Sequence, residues 1–468
     1  MDTGLTDSSD VKPSTNWREE LSALLVLGVP MAAAQIVSML TLTIDLLMIS
    51  RVGAEEIAAA SLALVVNFLL WMIAAGPVMA VTPLVSQALG ADKHDYTDVR
   101  HSVRMGLWLI VALIPLLVIV IWAMEPLASL MGQDPAIASR ARDYMALLAF
   151  GWPFMMGVMA LRNFLAAINK TTIPFLLILL TAGLNAVFNY ILIFGNFGAP
   201  KLDLLGAGIA SSLAGLCSFV FFIIYIKLDS SACKFDLFKN WHRPDWPRFR
   251  DVVKLGWPIS VSTIFEGMLF NAGVLLMGVI GVMEMAAYQI GLNVASLAFM
   301  VPWGLSMAGA VRIGHAAGAG NLPAAKRAAS VCVALSTVTM TILALAIALS
   351  PNIITALYVG PDAENDVIRA LVIGFLPLAA GFMFFDAIQV AANQLLRGLK
   401  DVQIPMVMTG ISYWIIGFPV AYYLGLKTDV GANGIWYGLT AGLLAASIFL
   451  GARLFWVLWV KRRLRVEN

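Results

Sequence analysis

Twelve separate stretches of this 468-residue sequence are each long and apolar enough to cross a lipid bilayer. Crossing a hydrocarbon core of ~30 Å takes ~20 apolar residues in helical form. The stretches fall near 22–50, 57–82, 103–123, 143–168, 173–195, 205–227, 252–280, 285–312, 328–350, 367–398, 404–425 and 434–460. Backbone polar groups cannot be left unpaired in lipid, so each stretch must be a helix or a strand of a closed barrel. The runs are continuous and lack period-two alternation, which excludes the barrel. With 12% charged residues and a mean hydropathy of +0.86, a water-soluble fold would expose far more apolar surface than monomers tolerate. The expected fold is an all-α polytopic membrane protein of twelve transmembrane helices.

Basic residues set the expected orientation, because Lys and Arg accumulate in cytoplasmic loops. With the N-terminus inside, all but six of the 30 basic residues lie in or next to cytoplasmic segments; the exceptions are Arg51, Arg140, Arg142, Lys201, Arg369 and Lys427. Both termini are then cytoplasmic, in a multi-pass protein of the cell's inner membrane. Residues 1–20 are polar and resemble no targeting peptide; they read as a disordered cytoplasmic tail. The expected division is a tail over 1–20, an N-lobe over 21–228, a cytoplasmic linker over 229–251, a C-lobe over 252–460 and a second tail over 461–468. The linker is basic and carries Trp241, Pro244, Trp246 and Pro247. It reads as a solvated positive-inside loop along the inner membrane surface, with a lipid-headgroup site as the rarer alternative.

Several function classes fall away on composition. A net charge of +2 argues against a nucleic-acid partner. Three cysteines (Cys217, Cys233 and Cys332) and four scattered histidines form neither a disulfide framework nor a metal-ligand motif. No cluster of His, Cys or acids has catalytic spacing, so an enzyme and a bound cofactor are not expected.

An internal repeat organises the chain. Shifted by 228 positions, Leu27-Gly28-Val29-Pro30 meets Leu255-Gly256-Trp257-Pro258. Gly53, Glu56, Ala58 and Ala59 meet Gly281, Glu284, Ala286 and Ala287, and Ser102-Val103 meets Ser330-Val331. Further on, Gly132 and Asp134 meet Gly360 and Asp362. Each half holds six spans, so both enter the membrane in the same direction. Such repeats make two six-helix bundles related by a pseudo-twofold axis along the membrane normal, with substrate handled near mid-membrane.

Three acids lie well inside spans and are not repeated: Asp45 aligns with Gly273, Glu266 with Ser38, and Asp386 with Arg162 or a Met near 155. An ionised residue at a helix centre costs about 2.5–3.5 kcal/mol on insertion scales. Something must therefore face each acid, whether a cavity, a proton, a metal cation or a basic partner. Helical phase adds neighbours. Asp386, Gln389, Asn393 and Arg397 share one face, as do Ser38, Thr41 and Asp45; Asn185 and Asn189 stack at i, i+4, as do Gln289 and Asn293, with Ser296. Polar stripes of this kind line a wet interior or join helices by hydrogen bonds. For the carboxylates the second role is less economical, because uncharged groups would serve. Arg162 offers neutralisation of one acid.

At these residues the chain resembles the multidrug and toxic compound extrusion (MATE) transporters, in their NorM-like branch. The resemblance runs over about 20–460. It is carried by Ile44-Asp45 with Met48-Ile49-Ser50-Arg51-Val52-Gly53, and by Phe265-Glu266-Gly267-Met268-Leu269-Phe270. Ala287 to Leu297 through Arg312-Ile313-Gly314 is similar to the family's eighth span, while Asp386-Ala387-Ile388-Gln389-Val390 and Leu396-Arg397-Gly398-Leu399-Lys400-Asp401 are similar to its tenth. The resemblance implies efflux of cationic and amphipathic drugs in exchange for H+ or Na+, by a monomer in the lipid membrane. It implies that Glu266 and Asp386 are the C-lobe cation-binding acids, ligating Na+ if sodium is the coupling ion, and that Asp45 with Asn185 and Asn189 forms an N-lobe coupling site. Gln289, Asn293 and Gln389 complete the expected cation and substrate set. The chain departs from the pattern at Phe382, where the family often has Tyr, and at Leu213, where a Thr is expected beside Ser211 and Ser212.

Other transport classes make different demands. A flippase for lipid-linked precursors or polysaccharides would require a basic centre, of which Arg162 is the one hint. A channel would have no need of a repeat-built scaffold.

Overall fold

The computed structural model describes residues 16–92, 96–130, 132–360 and 366–461. Twelve long apolar helices account for the twelve expected spans. They are α1 (Trp17–Ser50), α2 (Ala54–Ala91), α3 (Thr97–Leu130), α4 (Pro135–Ala167), α5 (Thr172–Phe194), α6 (Asp203–Leu228), α7 (Trp246–Ile280), α8 (Val282–Gly318), α9 (Leu322–Leu349), α10 (Asp366–Gly398), α11 (Gln403–Leu426) and α12 (Ala432–Val460). No strand occurs among the described residues. The tail over 1–15, most of the tail over 461–468 and the repeat position Asp362 lie outside them.

Local chemistry fixes the helix ends. Asn16 caps α1, its side chain accepting from the Glu19 N–H and donating back to the Glu19 carboxylate at 2.9 Å. The helix therefore starts inside the segment read as a tail. Asp134 accepts from the Ala136 N–H ahead of α4, and Asn321 accepts from the Ala324 N–H ahead of α9. The ends of α4 and α10 are built alike. Lys170 N–H reaches Leu165 C=O and Asn169 N–H reaches Ala166 C=O; Asp401 N–H reaches Leu396 C=O and Lys400 N–H reaches Arg397 C=O. In each turn one residue, Asn169 or Lys400, sits in the left-handed region at φ 61° or 57°. The matched turns place Asn169 opposite Lys400, a shift of 231, so Asp386 falls opposite Met155 rather than Arg162.

The chain forms two compact units, one of residues Ala34–Ser260 and the other of residues 16–33 and 261–461. The first helix of each sequence half is thus divided between them. In the second unit α1 crosses α8: a Cβ on Gly304 would lie 2.3 Å from the Ala32 backbone. In the first unit α7 crosses α2: a Cβ on Gly76 would lie 2.3 Å from the Gly256 carbonyl oxygen. Gly76 and Gly304 are 228 positions apart, as are Gly28 and Gly256, so one backbone-to-backbone crossing is used twice.

Ion pairs at the helix ends differ in sign between the halves. Glu20 at the start of α1 takes two hydrogen bonds from Arg312 at the end of α8, at 2.8 and 2.9 Å, with Glu20 1% exposed. The repeat partner of Glu20 is Arg248, which binds Asp98 at the start of α3. Lys170 after α4 pairs with Asp229 at 2.6 Å, whereas its counterpart Asp401 after α10 pairs with Arg453 at 2.8 Å. Burial works to raise the Asp229 carboxyl, but bonds from Lys170 and from the Ala232 and Ser231 N–H groups leave it below the usual carboxylate range. Its stabilising contribution is therefore present at neutral pH and fades as acid protonates it.

Removing one partner of a buried, bidentate pair leaves a charge stranded, at a cost of about 3–5 kcal/mol. Glu20→Gln is expected to lower the melting temperature of the detergent-solubilised protein clearly, and the exchanged pair Glu20→Arg with Arg312→Glu to recover a large part of it. Equal melting of wild type and Glu20→Gln would show the pair to be dispensable.

Candidate ion and substrate site

The ion pairs just described, and the others among the described residues, lie at helix ends; none includes Asp45, Glu266 or Asp386. Each of these three acids instead stands within a polar cluster inside its own unit.

In the first unit α5 carries a sequence rich in Leu and Ile, yet its buried positions are Pro174, Asn185, Asn189 and Ile193. Apolar side chains face outward and the amides face inward, as expected where lipid is the solvent. Asn189 Nδ2 donates to Asp45 Oδ1 at 2.5 Å and to Asn185 Oδ1 at 3.2 Å. Asn185 Nδ2 donates onward to Ser211 Oγ on α6 at 3.4 Å. Ser211 thus supplies the hydroxyl that Leu213 lacks, while Ser212 is used elsewhere, donating to the Leu147 carbonyl. Asn189 Oδ1 is buried and meets no hydrogen-bond partner. An orphaned amide oxygen beside a carboxylate is a pair of acceptors lacking a proton or cation. Buried Tyr144 on α4 also lies within electrostatic reach of Asp45; it follows the charged run Arg140 to Asp143 and belongs to no polar stripe of its own.

In the second unit the stripe expected on α10 is buried throughout: Asp386, Gln389, Asn393 and Arg397. Glu266 on α7 has Arg397, Gln389 and Asp386 as neighbours, the two carboxylates acting on one another. Asp386 Oδ1 is buried without a hydrogen-bond partner. Phe382, one turn before Asp386, is packed between Phe270 and Trp436, with ring centroids 6.2 and 5.6 Å away. A hydroxyl comes instead from Tyr413 on α11, which is fully buried and faces Glu266, Asp386, Gln389 and Arg397. Tyr413 belongs to a π-helical stretch, Ile411–Gly417. Such bulges admit an extra residue per turn and swing side chains round the axis. Gly438 lets α12 come close enough to hold α11: a Cβ there would lie 2.2 Å from the Ala421 nitrogen.

Two expected members stand apart. Gln289 and Asn293 are exposed on α8, and Asn293 Oδ1 accepts from the Tyr358 hydroxyl at 2.9 Å. Among the described residues no hydrogen bond joins either to the Glu266 and Asp386 pair. Ser38 and Thr41 bond the carbonyls of Ala34 and Val37 one turn back along α1, rather than the acid. Arg162 neutralises none of the three acids; its Nη1 donates to Gln35 Oε1 at 3.1 Å, and its Nε is buried without a partner.

Known proteins resemble this chain along nearly its whole length. The sequence profile of the MatE family matches residues 30–191 and 258–423, two segments whose starts are one repeat apart. The chain is 37% identical over 457 residues to the probable multidrug resistance protein NorM of Rhizobium meliloti, covering 96% of this chain and 97% of that one. It is 38% identical over 443 residues to the protein of the same description in Rhodopseudomonas palustris, covering 93% and 92%. Its fold matches that of a MOP superfamily transporter from Pyrococcus furiosus with a TM-score of 0.85 and 19% identity, covering 95% and 97%. The eukaryotic MATE transporter AtDTX14 matches with a TM-score of 0.83 and 20% identity, covering 94% and 96%. With both repeats matched by one profile and relatives alike from end to end, the chain belongs to the MatE family of membrane transporters.

Proposed function

We propose that the protein is a multidrug efflux transporter of the bacterial plasma membrane, exchanging cationic or amphipathic drugs for H+ or Na+ by alternating access. The observation that carries this reading is the three mid-membrane carboxylates held without a direct ion pair. Buried negative charge in a low-dielectric surrounding must be neutralised by something mobile. A proton, a sodium ion and the positive end of a drug are three ways to do so, and they exclude one another. Loading an ion from outside ejects the drug, and tilting of one unit against the other returns the emptied acids to the inside. The sidedness follows from the positive-inside distribution, with both termini cytoplasmic.

The donor set fits either coupling ion. Glu266, Asp386, the Gln389 carbonyl and the Tyr413 hydroxyl are hard oxygen ligands suited to Na+. The same two carboxylates, acting on each other, suit a shared proton. In the first unit Asp45 and Asn189 Oδ1 offer a smaller version of the same choice. The relatives named as probable multidrug resistance proteins support drug efflux as the direction of transport. Flipping of an anionic lipid-linked precursor has Arg162 in its favour, but acids outnumber bases at mid-membrane, which favours cationic cargo.

Asp386→Asn and Glu266→Gln, at normal membrane expression, are each expected to cut ethidium or norfloxacin efflux by roughly tenfold or more, the loss that about 1.4 kcal/mol of missing ion binding produces. Unchanged efflux in both variants removes the assigned roles. Tyr413→Phe keeps the ring that fills the site and loses only the hydroxyl. It is expected to raise the concentration of coupling ion needed for half-maximal transport while leaving protein abundance unchanged; an unaltered ion dependence would confine Tyr413 to packing. In proteoliposomes, imposed sodium and pH gradients applied one at a time identify the coupling ion, and drug movement indifferent to both gradients would overturn antiport.

A further inference from the structure

The segment between α6 and α7 is docked rather than solvated. Ala232, Phe235 and Leu237 are buried. The Phe235 ring packs on Tyr96 and Phe164, with centroids 4.5 and 5.3 Å away. One face of α3 holds the segment by its carbonyls: Arg100 Nε donates to Phe235, Arg104 Nη1 to Lys239 and Asn240, and Trp108 Nε1 to Trp241. These donors recur every four residues, one helical stripe. The fastening leaves a cavity of about 400 Å³ between the start of α3 and the start of α7. Arg104, Arg243, His101, Asn240, Asp245 and Trp246 line it.

Arg104 is the unexplained group. It is 4% exposed, and its Nε is buried without a hydrogen-bond partner. No acid pairs directly with it among the described residues. The one lining carboxylate, Asp245, is already engaged by His101 at 2.6 Å and by the Arg248 N–H. Burial works to raise Asp245, and those bonds, with Arg248 nearby, hold it below the ordinary carboxylate range. Asp245 acts on Arg104 across the cavity, and with Arg104 and Arg243 set against this one carboxylate the lining keeps one net positive charge.

Depth identifies the anion. α3 has 34 residues, so it is about 51 Å long and overhangs a ~30 Å hydrocarbon core by roughly 10 Å at each end. Arg104 lies seven residues in from Thr97, also about 10 Å along the axis. That is the edge of the hydrocarbon, from which an arginine side chain reaches outward to the lipid phosphates. Trp246, exposed beside the cavity, and the half-exposed Trp241 have the amphipathic rings that settle at this boundary. On the sidedness proposed above, the leaflet is the cytoplasmic one, which is rich in anionic lipid. We infer that this cavity binds the phosphate headgroup of an anionic phospholipid, with the guanidinium groups of Arg104 and Arg243 as donors and Trp246 against the glycerol backbone.

The test uses the full chain in nanodiscs of phosphatidylcholine with increasing phosphatidylglycerol or cardiolipin, reading retained lipid by native mass spectrometry and melting temperature alongside. Wild type is expected to retain anionic lipid selectively and to melt higher as its fraction rises. Arg243→Gln, an exposed side chain that holds no helix together, is expected to weaken retention by roughly tenfold, with the melting temperature in pure phosphatidylcholine unchanged. Arg104→Gln removes the deeper donor, and retained lipid per folded protein is compared at matched stability. Equal retention of zwitterionic and anionic lipid, or retention in Arg243→Gln equal to wild type, overturns the proposal. Millimolar inorganic phosphate reproducing the stabilisation in pure phosphatidylcholine also overturns it, by assigning the cavity to a soluble anion.

Discussion

Hydrocarbon cannot solvate charge, and the placement of the described ionisable side chains answers to that fact. Charges with a structural task stay at helix ends, where water and headgroups share the load and where each meets an opposite charge. Charges inside the spans are few, and the three acids among them are denied a direct ion pair. Had these carboxylates been needed only to hold helices together, pairing them with Lys or Arg would have relieved the desolvation. Leaving amide and carboxylate oxygens such as Asn189 Oδ1 and Asp386 Oδ1 without partners makes sense where something positive comes and goes.

The fold was legible because the solvent is severe. A bilayer forces each span to declare itself as a long apolar run, and the helices found begin and end within a few residues of those runs, apart from added turns at the polar ends. The site was legible only where its residues share one helix. Asp386, Gln389, Asn393 and Arg397 form a buried face because periodicity along α10 is a local property. Gln289 and Asn293 have the same periodicity on an exposed face of α8; what such a face meets is not a local property. Tyr413 was missed for a related reason. It reaches the cluster through a π-helical turn and the close approach of α12 at Gly438, and period counting assumes a regular helix throughout.

Duplication raises a problem of identity that the charges address. Two halves of similar sequence offer each first helix two similar docking grooves, and the glycine crossings at Gly76 and Gly304 are nearly interchangeable. Sign reversal distinguishes them. Glu20 on α1 matches Arg312 on α8, while the aligned Arg248 on α7 matches Asp98 on α3. The repeat counterpart of Asp98 is Lys326, so α7 docked in the place of α1 would set Arg248 near Arg312 and Lys326. Like charges at a partly buried helix end repel, which disfavours the exchanged docking. The inverted pairs Lys170–Asp229 and Asp401–Arg453 repeat the device at the ends of α4 and α10.

The two polar clusters were freed from that symmetry. Asp45 has no acidic counterpart at Gly273, nor Glu266 at Ser38, nor Asp386 at Met155. Formal charge nonetheless comes out alike: one carboxylate among amides in the first unit, and two carboxylates against Arg397 in the second. Each cluster therefore lacks one positive charge. On the proposed mechanism that equality matters, since a single proton or sodium ion suffices to neutralise either one, and a monovalent drug displaces one ion rather than two. What differs is the company. Asp45 is bonded to Asn189 and, through Asn185, to Ser211, all small polar groups. Glu266 and Asp386 share their surroundings with the larger buried side chains of Arg397, Gln389 and Tyr413.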